Sequence, residues 1–326
     1  MRIIGILAAA GLLLTACGTG DSATSASLAS GTTAPSTTTA PSTTTGLSPE
    51  EAFPVTVGAA NGEVTIEQRP EAIISLSPTT TEMLAAVGAL DQLVAVDDQS
   101  NYPEGIPVTD LSGFTPNIEA IASYEPDLVV VTNDIDGIVG ALSSVEIPVL
   151  LIPAAVTLDD VYSQIEQLGV ATGHAAAASR LVAEMVAEVD EILASVPPAD
   201  PPLTFYHELD PGLFSVTSST FIGSVYSLVG LVNIADPADS DGFGYPQLSA
   251  EFIIEQDPDL IFLADTVCCG QNAEVVAARP GWGDLRAIRN GAVVELSDDI
   301  ASRWGPRVVD FLRAIAERTV AVRTGS

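Results

Sequence analysis

A stretch of twelve residues occurs twice in this chain, with a constant separation between the two copies. Residues 117–128 return as residues 249–260, and each position lies 132 residues after its counterpart. A glutamate, an isoleucine and a closing Pro-Asp-Leu coincide, and an apolar run follows each copy. A helix that ends at proline and leads into a buried strand is half of an α/β unit. Two such halves predict an α/β protein with two similar lobes and a ligand cleft between them.

The N-terminus has the pattern of an export signal. One arginine precedes an apolar run that ends at Leu14, and this run is shorter than the ~20 residues needed to span a bilayer. Residues 14–17 resemble the lipobox of bacterial lipoproteins, in which the cysteine is acylated and becomes the first residue of the mature chain. An ordinary secretory signal with an incidental cysteine is the alternative. We therefore expect a signal peptide at 1–16 and a lipidated Cys17 that holds the protein on the extracytoplasmic face of the membrane, in the cell envelope.

The composition then divides the rest of the chain. Residues 17–50 are mostly Ser, Thr, Ala, Gly and Pro, which bury too little apolar surface to fold, so a disordered tether is expected there. The remaining ~275 residues suffice for two domains. We predict an N-terminal α/β lobe at 51–172, an interlobe helix at 173–197 and a C-terminal α/β lobe at 198–326.

The predicted interlobe helix is the longest regular pattern in the chain. Leu181, Met185, Val189 and Ile192 recur at helical spacing, and two prolines at 197–198 stop the pattern. A helix of roughly 22 residues spans ~33 Å, which is enough to cross from one lobe to the other. The two lobes are therefore expected to be joined by one long rigid helix.

Shorter elements are predicted from apolar runs and turn residues. A hairpin is expected around Asn61 and Gly62, because the flanking residues alternate in polarity. A helix is expected to begin after Ser77, with Glu82 as an acid in its first turn, and to end at Gly88. Apolar runs predict strands at 72–76, 93–96, 128–131, 149–152, 203–206, 214–216, 260–263 and 293–296.

The charge balance limits the partners that the chain can have. The formal net charge is −32, there is no lysine, and no cation occurs between Arg69 and Arg180. Such a surface argues against nucleic acid and anionic lipid as partners. The first lobe also has almost no cation with which to hold an anionic ligand.

Two adjacent cysteines, Cys268 and Cys269, remain once Cys17 is assigned to the lipid. Neighbouring Cα atoms lie ~3.8 Å apart, which is below the usual span of a disulfide. We therefore favour two free thiols, with a vicinal disulfide as the alternative.

No enzymatic or metal-binding motif is found in the sequence. It contains no Gly-x-Ser-x-Gly elbow, no phosphate-binding glycine loop and no His-Glu-x-x-His. His207 stands beside Glu208, but the chain has only two histidines and no Cys/His spacing motif, so a packing or ligand-contact role is favoured over a metal site. We expect a binding protein with no catalytic residue, metal or resident cofactor.

Three separated segments carry a resemblance to a known family. Residues 72–84, 117–128 and 279–293 resemble the periplasmic solute-binding proteins for cobalamin, haem and ferric siderophores, and the likeness extends over residues 60–323. The resemblance implies two α/β lobes joined by one rigid helix. It also implies a monomer that captures a metal-chelate ligand and delivers it to the permease and ATPase of an ABC importer.

The same resemblance assigns a role to the repeated acids. In this family, one surface glutamate on each lobe pairs with arginines of the permease, and Glu119 and Glu251 match those positions. A carboxylate early in a helix also suits the helix dipole, so an ordinary surface acid is the alternative. We expect both residues to form the permease-docking surface.

Loops that follow the strands are expected to line the cleft. The loop at 100–103 resembles the one by which cobalamin binders place a tyrosine against the corrin. Aromatic side chains suit a large, flat and mostly apolar ligand. The predicted ligand contacts are Tyr102, Phe114, Tyr206, His207, Thr220, Phe221, Tyr245, Arg303 and Trp304.

Charge and aromatic content then rank the ligands. An anionic siderophore needs cations to replace its water, and only Arg303 and Arg307 are positioned to help. A corrinoid is therefore the first choice, a neutral or cationic ferric siderophore the second and haem the third, with Tyr102, Tyr206 or His207 as iron ligands in the last case. A tethered ligand sensor is the alternative to transport.

Overall fold

A computed structural model describes residues 52–325 of the chain. The predicted signal peptide, the lipidated Cys17 and the tether lie outside these residues. The described residues contain a hairpin and two separate four-stranded parallel sheets, each with helices packed against it. The predicted two-lobe α/β architecture is confirmed, and the lobe boundaries in the sequence stay predictions.

The hairpin consists of β1 (Val55–Ala59) and β2 (Gly62–Ile66), which pair antiparallel as predicted. Gly62 has a φ of +108°, a conformation that L side chains rarely adopt. The Asn61 side chain fastens the turn to the first sheet, because its amide donates to the Val149 carbonyl at 2.9 Å and accepts from the Leu151 N–H at 3.1 Å.

The first lobe contains a parallel sheet in the order β4-β3-β5-β6. Most of its residues are buried, as expected for strands covered on both faces. The strands are β3 (Ile73–Ser75), β4 (Leu93–Val96), β5 (Leu128–Val131) and β6 (Val149–Leu151). The helices are α1 (Pro78–Val87), α2 (Ile118–Ala122), α3 (Ile138–Ser143) and α4 (Leu158–Thr172).

A single long helix, α5 (Ala175–Ser195), leads from the first lobe to the second. Met185, Val189 and Ile192 are buried along it, in agreement with the predicted apolar face. The helix packs against α4 of the first lobe and against the C-terminal helix of the second, so it touches both lobes.

The second lobe contains a parallel sheet in the order β10-β9-β7-β8. Its strands are β7 (Thr204–Glu208), β8 (Val232–Asn233), β9 (Leu260–Leu263) and β10 (Val293–Glu295). Its helices are α6 (Phe221–Leu228), α7 (Ala250–Gln256), α8 (Thr266–Cys269), α9 (Ala273–Ala277), α10 (Arg286–Arg289), α11 (Asp298–Ser302) and α12 (Val308–Thr324). No helix among residues 52–325 has the length and apolar character required to cross a membrane.

The sequence repeat corresponds to α2–β5 in the first lobe and α7–β9 in the second. The side chains of Asn117 and Ser249 cap the two helices by accepting a backbone N–H three residues on. The aspartate after each proline fastens the neighbouring strand: Asp127 accepts from the Ala72 N–H at 3.1 Å, and Asp259 accepts from the Thr204 N–H at 2.9 Å. The repeat therefore sets the start of a parallel strand pair in each lobe.

Two strand predictions in the second lobe need correction. The segment 214–216 is not a strand, and only an isolated antiparallel bridge forms between Phe214 and Gln247. Pro246, next to Gln247, accepts from the Ser215 N–H but has no N–H to donate in return, so the ladder does not continue. Strand β7 continues to Glu208, two residues beyond the predicted end at Tyr206. The two-residue strand β8 was not predicted, since so short a run carries no periodicity.

Candidate functional site

A cavity of about 510 Å³ lies between the two lobes. The first lobe supplies loop residues that follow its strands, and the second lobe supplies α11 and the residues directly after it. The lining residues are Leu76, Ser77, Pro78, Thr79, Asp97, Gln99, Asn101, Gly113, Phe114, Thr132, Asn133, Asp299, Ser302, Arg303 and Trp304.

The first-lobe wall of this cavity is made at the carboxyl ends of parallel strands. Ser77 follows β3, Asp97 follows β4, and Thr132 and Asn133 follow β5. Because these strand ends meet at one edge of the sheet, the loops converge there, as ligand sites in α/β sheets generally do. Ser77 precedes α1 as predicted, but its side chain makes no capping hydrogen bond.

Phe114 projects from a loop that only glycine can hold in place. An added Cβ at Gly113 would lie 2.3 Å from the Leu76 carbonyl oxygen, so the loop approaches β3 too closely for any side chain. Phe114 itself is 69% exposed and lines the cavity. The close approach at Gly113 therefore positions an apolar ring at the cleft surface.

Trp304 lines the same cavity from the second lobe. Its indole Nε1 is buried, and no hydrogen-bond partner for it occurs within residues 52–325. Tyr102 lies beside a second, smaller cavity of about 250 Å³ and is 46% exposed. The structure thus places Phe114 and Trp304 on the wall of one cavity and Tyr102 on the wall of another.

A cluster of ion pairs crosses the cleft between these two cavities. Glu82 on α1 is buried and accepts from Arg303 Nη1 at 2.7 Å and from Arg307 Nε at 2.9 Å. Arg303 also donates to Asp299 at 2.6 Å and to the Asn101 side chain at 2.8 Å. Glu82 was predicted as an acid in the first turn of its helix; it lies beyond that turn and faces inward.

The two arginines of this interlobe cluster are therefore already engaged. The guanidinium of Arg307 also lies over the Tyr102 ring, 4.2 Å from its centroid. The pairing with Glu82 raises the pKa of Arg307, which keeps this cation charged at every physiological pH.

One further acid contributes to the cavity wall. Asp97 is buried, and burial raises the pKa of its carboxyl. The Ser100 hydroxyl donates to it, and the same hydroxyl also contacts Thr81. Asp97 is not among the predicted ligand contacts, because it lies three residues before the loop at 100–103 from which Tyr102 was chosen.

Tyr206 and His207 were predicted to contact the ligand, and the structure corrects this. Both side chains are fully buried, because β7 continues through them into the sheet. The Tyr206 hydroxyl donates to Glu208 at 3.2 Å, and His207 Nδ1 is paired with the Tyr226 hydroxyl at 2.8 Å. Burial lowers the pKa of His207 to about 3, so the ring is neutral. Neither side chain is accessible as a haem ligand.

Three other second-lobe candidates also lie off the cavity wall. Thr220 caps α6, since its hydroxyl accepts from the Gly223 N–H at 3.0 Å, and Phe221 is packed in the core. Tyr245 is 49% exposed. Thr220 and Phe221 have structural roles and do not line this cavity, and the ligand contacts of all three residues stay predictions.

A buried acidic pair lies at the strand ends of the second lobe. Glu208 is the last residue of β7, and Asp265 lies two residues after the end of the neighbouring strand β9. Both side chains are fully buried. Arg279 donates twice to Glu208, at 2.6 and 2.5 Å, whereas no donor among the described residues reaches the Asp265 carboxylate. Burial, reinforced by the charge of Glu208, raises the pKa of Asp265 to about 7.

Cys268 and Cys269 are joined by a disulfide, with their Cα atoms 3.8 Å apart. The preference for two free thiols is therefore corrected in favour of the vicinal disulfide. The pair is exposed at the end of α8, whose first turn is held by Asp298: this carboxylate accepts the Val267 N–H at 3.0 Å and the Cys268 N–H at 2.7 Å.

Glu119 and Glu251 are exposed in the first turns of α2 and α7. They occupy equivalent places in the two lobes, as the constant offset of the repeat predicts. Their contact with a permease stays a prediction.

Comparisons with known proteins agree with this architecture. A lipoprotein of Bacillus subtilis, named as an uncharacterized ABC transporter substrate-binding protein, is 30% identical over 278 residues, which cover 82% of this chain and 86% of that protein. A cobalamin-binding protein of Halobacterium salinarum is 32% identical over 276 residues, or 81% of this chain and 74% of that protein. The crystal structure of the periplasmic vitamin B12-binding protein of Vibrio cholerae aligns with a TM-score of 0.64 at 25% identity, covering 78% of this chain and 98% of that one.

The family assignment rests on the greater part of the chain. The periplasmic binding protein family matches residues 73–300, a range that begins at β3 and ends in α11. These relatives are binding proteins, so the predicted non-enzymatic role is confirmed. The chain is a member of the periplasmic binding protein family.

Proposed function

We propose that this protein is the substrate-binding component of an ABC importer and that it binds a corrinoid in the cavity between its lobes. The observation that carries the proposal is that two aromatic rings, Phe114 and Trp304, line this cleft. Arg303 is the only cation that lines the cleft among the described residues, and it is already paired with carboxylates. Large rings provide much apolar contact area, which suits a flat macrocycle.

The charge of the cleft favours a ligand without net negative charge. Glu82 and Asp299 neutralise Arg303, and Glu82 is shared with Arg307. An anionic chelate would lose its water without gaining a free guanidinium, which is unfavourable. Corrinoids are close to neutral overall, and the relatives named as cobalamin-binding proteins point to the same class.

A neutral or cationic ferric siderophore is the second candidate, because it fits the same charge balance. Haem is the third. Of the three side chains predicted as haem ligands, only Tyr102 is exposed, and its ring is covered on one side by Arg307. A sensor that reports ligand occupancy to a membrane receptor would use the same cleft.

Delivery to a permease would use Glu119 and Glu251, which are exposed on equivalent helices of the two lobes. Exposed carboxylates at helix starts are suited to bidentate pairing with arginines. The lipobox-like residues 14–17 and the relative named as a lipoprotein support attachment through Cys17. We expect Cys17→Ala to release the protein from the membrane with its ligand affinity unchanged.

Intrinsic fluorescence tests the ligand directly. The chain has two tryptophans; Trp304 lines the cavity, and Trp282 is buried in the second lobe. Titration with cyanocobalamin should quench the emission, whereas Trp304→Phe should lose most of the quenching and Tyr124→Phe, outside the cleft, should retain it. The same titration with a ferric hydroxamate siderophore and with haem ranks the alternatives. Tight binding of either, with no response to cyanocobalamin, would overturn the corrinoid assignment.

A further inference from the structure

Glu82 is a buried acid on a helix that is otherwise apolar or hydroxylic. The chain of the second lobe passes α1 at Gly305, between the two arginines that reach this carboxylate. An added Cβ at Gly305 would lie at ordinary contact distance, 3.5 Å, from the Glu82 carboxylate. Arg303 and Arg307, two residues to either side of Gly305 in the sequence, both donate to this acid.

Glu82 is the first-lobe carboxylate with which both arginines form ion pairs across the cleft. The side chains of Arg303 and Arg307 are 10% and 20% exposed, so neither is freely solvated. Arg303 lines the main cavity and Arg307 the smaller one, and both bind the same Glu82 oxygen. Glu82 thus sits between the two cavities and occupies a cation from each.

The remaining charges near the main cavity are acidic. Asp97 and Asp299 line it, and Asp299 is the second partner of Arg303. With Glu82 in place, the two guanidiniums are balanced by Glu82 and Asp299, and Asp97 adds an acid. Without Glu82, Arg307 would lose its carboxylate partner, and Arg303 would retain Asp299 as a carboxylate partner together with its hydrogen bond to Asn101.

We infer that Glu82 is a specificity-determining residue that makes the cleft reject anionic chelates by occupying both of its arginines. The inference rests on the proposed function, because it concerns the ligand of the same cleft. Guanidinium groups that lack a carboxylate partner bind carboxylate and catecholate oxygens in bidentate fashion. Removing the Glu82 charge should therefore open the cleft to ligands that the natural protein excludes.

The test compares one neutral and one anionic probe on the full-length protein in detergent. Cyanocobalamin is the neutral probe, and a ferric tris-catecholate siderophore is the anionic one. Glu82→Gln keeps the shape of the side chain and removes its charge. We expect the affinity of Glu82→Gln for the tris-catecholate to rise about tenfold or more, with a steep dependence on salt that the natural protein lacks for cyanocobalamin.

Removing one member of a buried ion pair destabilises a fold, so a second variant is needed in case Glu82→Gln does not fold. Asp299 is 34% exposed, so Asp299→Asn should fold, and it should raise the affinity for the tris-catecholate by a smaller factor. Glu188→Gln is the matched control, because it breaks an Arg–Glu pair with Arg313 away from the cleft and should change neither affinity.

The outcomes separate this inference from the proposed function. If the natural protein binds cyanocobalamin but neither Asp299→Asn nor a folded Glu82→Gln gains affinity for the tris-catecholate, the inference about Glu82 is wrong and the corrinoid role stands. If the natural protein already binds the tris-catecholate tightly, both are wrong. A gain in Glu82→Gln that Glu188→Gln does not share supports the assignment, and a gain confined to Asp299→Asn beside a folded Glu82→Gln contradicts it. If Glu82→Gln does not fold, the gain in Asp299→Asn takes its place in this comparison.

Discussion

At the scale of single residues, burial changes the behaviour of Asp265 in the second lobe. It is buried beside Glu208, and the one nearby guanidinium, Arg279, is taken up by Glu208. Two carboxylates facing one cation in a dry site favour retention of a proton. Asp265 is thus a residue through which pH acts on the second lobe.

The free energy of unfolding should therefore decrease as the pH rises from 3.8 to about 7. The pKa of Asp265 is about 7 in the folded chain and 3.8 in its unperturbed state, so between these values the folded state holds a proton that the unfolded state has lost. The loss is complete above about pH 7. Asp265→Asn should flatten this dependence and raise the free energy of unfolding at pH 8 by roughly 2–4 kcal/mol. Urea denaturation at pH 5 and pH 8 measures both effects.

The control is Asp110→Asn, which removes an exposed carboxylate. If stability changed with pH equally in Asp265→Asn and in the natural protein, the prediction would be contradicted.

The cleft aromatics give a second prediction at this scale. Phe114→Ala and Trp304→Ala should each weaken cyanocobalamin binding by about 1–3 kcal/mol, as expected when an aromatic contact is removed from a ligand site. Calorimetric titration measures the change, with Phe243→Ala as a control, since Phe243 is exposed but lies off the cavity wall. Unchanged affinity in both cleft variants would place the ligand elsewhere.

At the scale of elements, the first lobe followed its sequence pattern more closely than the second. The hairpin, α1 and the repeat could be predicted because turn residues, caps and apolar periods agree there. The cleft loops of the first lobe were predicted for the same reason, since they directly follow predicted strands. The second lobe differs from its prediction where tertiary contacts determine the length of a strand. Pro246 interrupts a strand pairing, and β7 extends beyond its predicted end to include His207 and Glu208. The Glu82 cluster joins residues more than 200 positions apart, so no local pattern announces it.

The loop at Gly113 tests how an element positions the site. Gly113→Ala forces the backbone away from the Leu76 carbonyl and moves Phe114 with it. We expect cyanocobalamin affinity to fall about tenfold, which corresponds to ~1.4 kcal/mol. Gly140→Ala on α3 is the matched control, because an added Cβ there has no atom within 4 Å. If both variants bind equally well, the close approach at Gly113 has no part in positioning the ring.

At the scale of the whole molecule, the two lobes carry equivalent exposed acids, which we expect to contact one permease complex. Glu119→Arg and Glu251→Arg should leave ligand affinity intact and reduce ligand uptake in a reconstituted importer, with the double variant the most impaired. Charge reversal replaces attraction by repulsion at a permease arginine, a change of several kcal/mol at a desolvated contact. Glu274→Arg, an exposed acid on α9, is the control. Normal uptake by both single variants would remove Glu119 and Glu251 from the docking surface.

In each lobe, the repeat connects a helix that carries an exposed glutamate to the carboxyl end of the sheet through a single strand. Strand β5 runs from the helix of Glu119 to Asn133 on the cavity wall, and β9 runs from the helix of Glu251 to Asp265, which lies 132 positions after Asn133. Each strand has four residues, about 13 Å of nearly inextensible backbone. A membrane complex that pulls on α2 and α7 would therefore displace the cavity wall in one lobe and the buried proton site in the other. The same pull would therefore act on both lobes at once, each through a single strand.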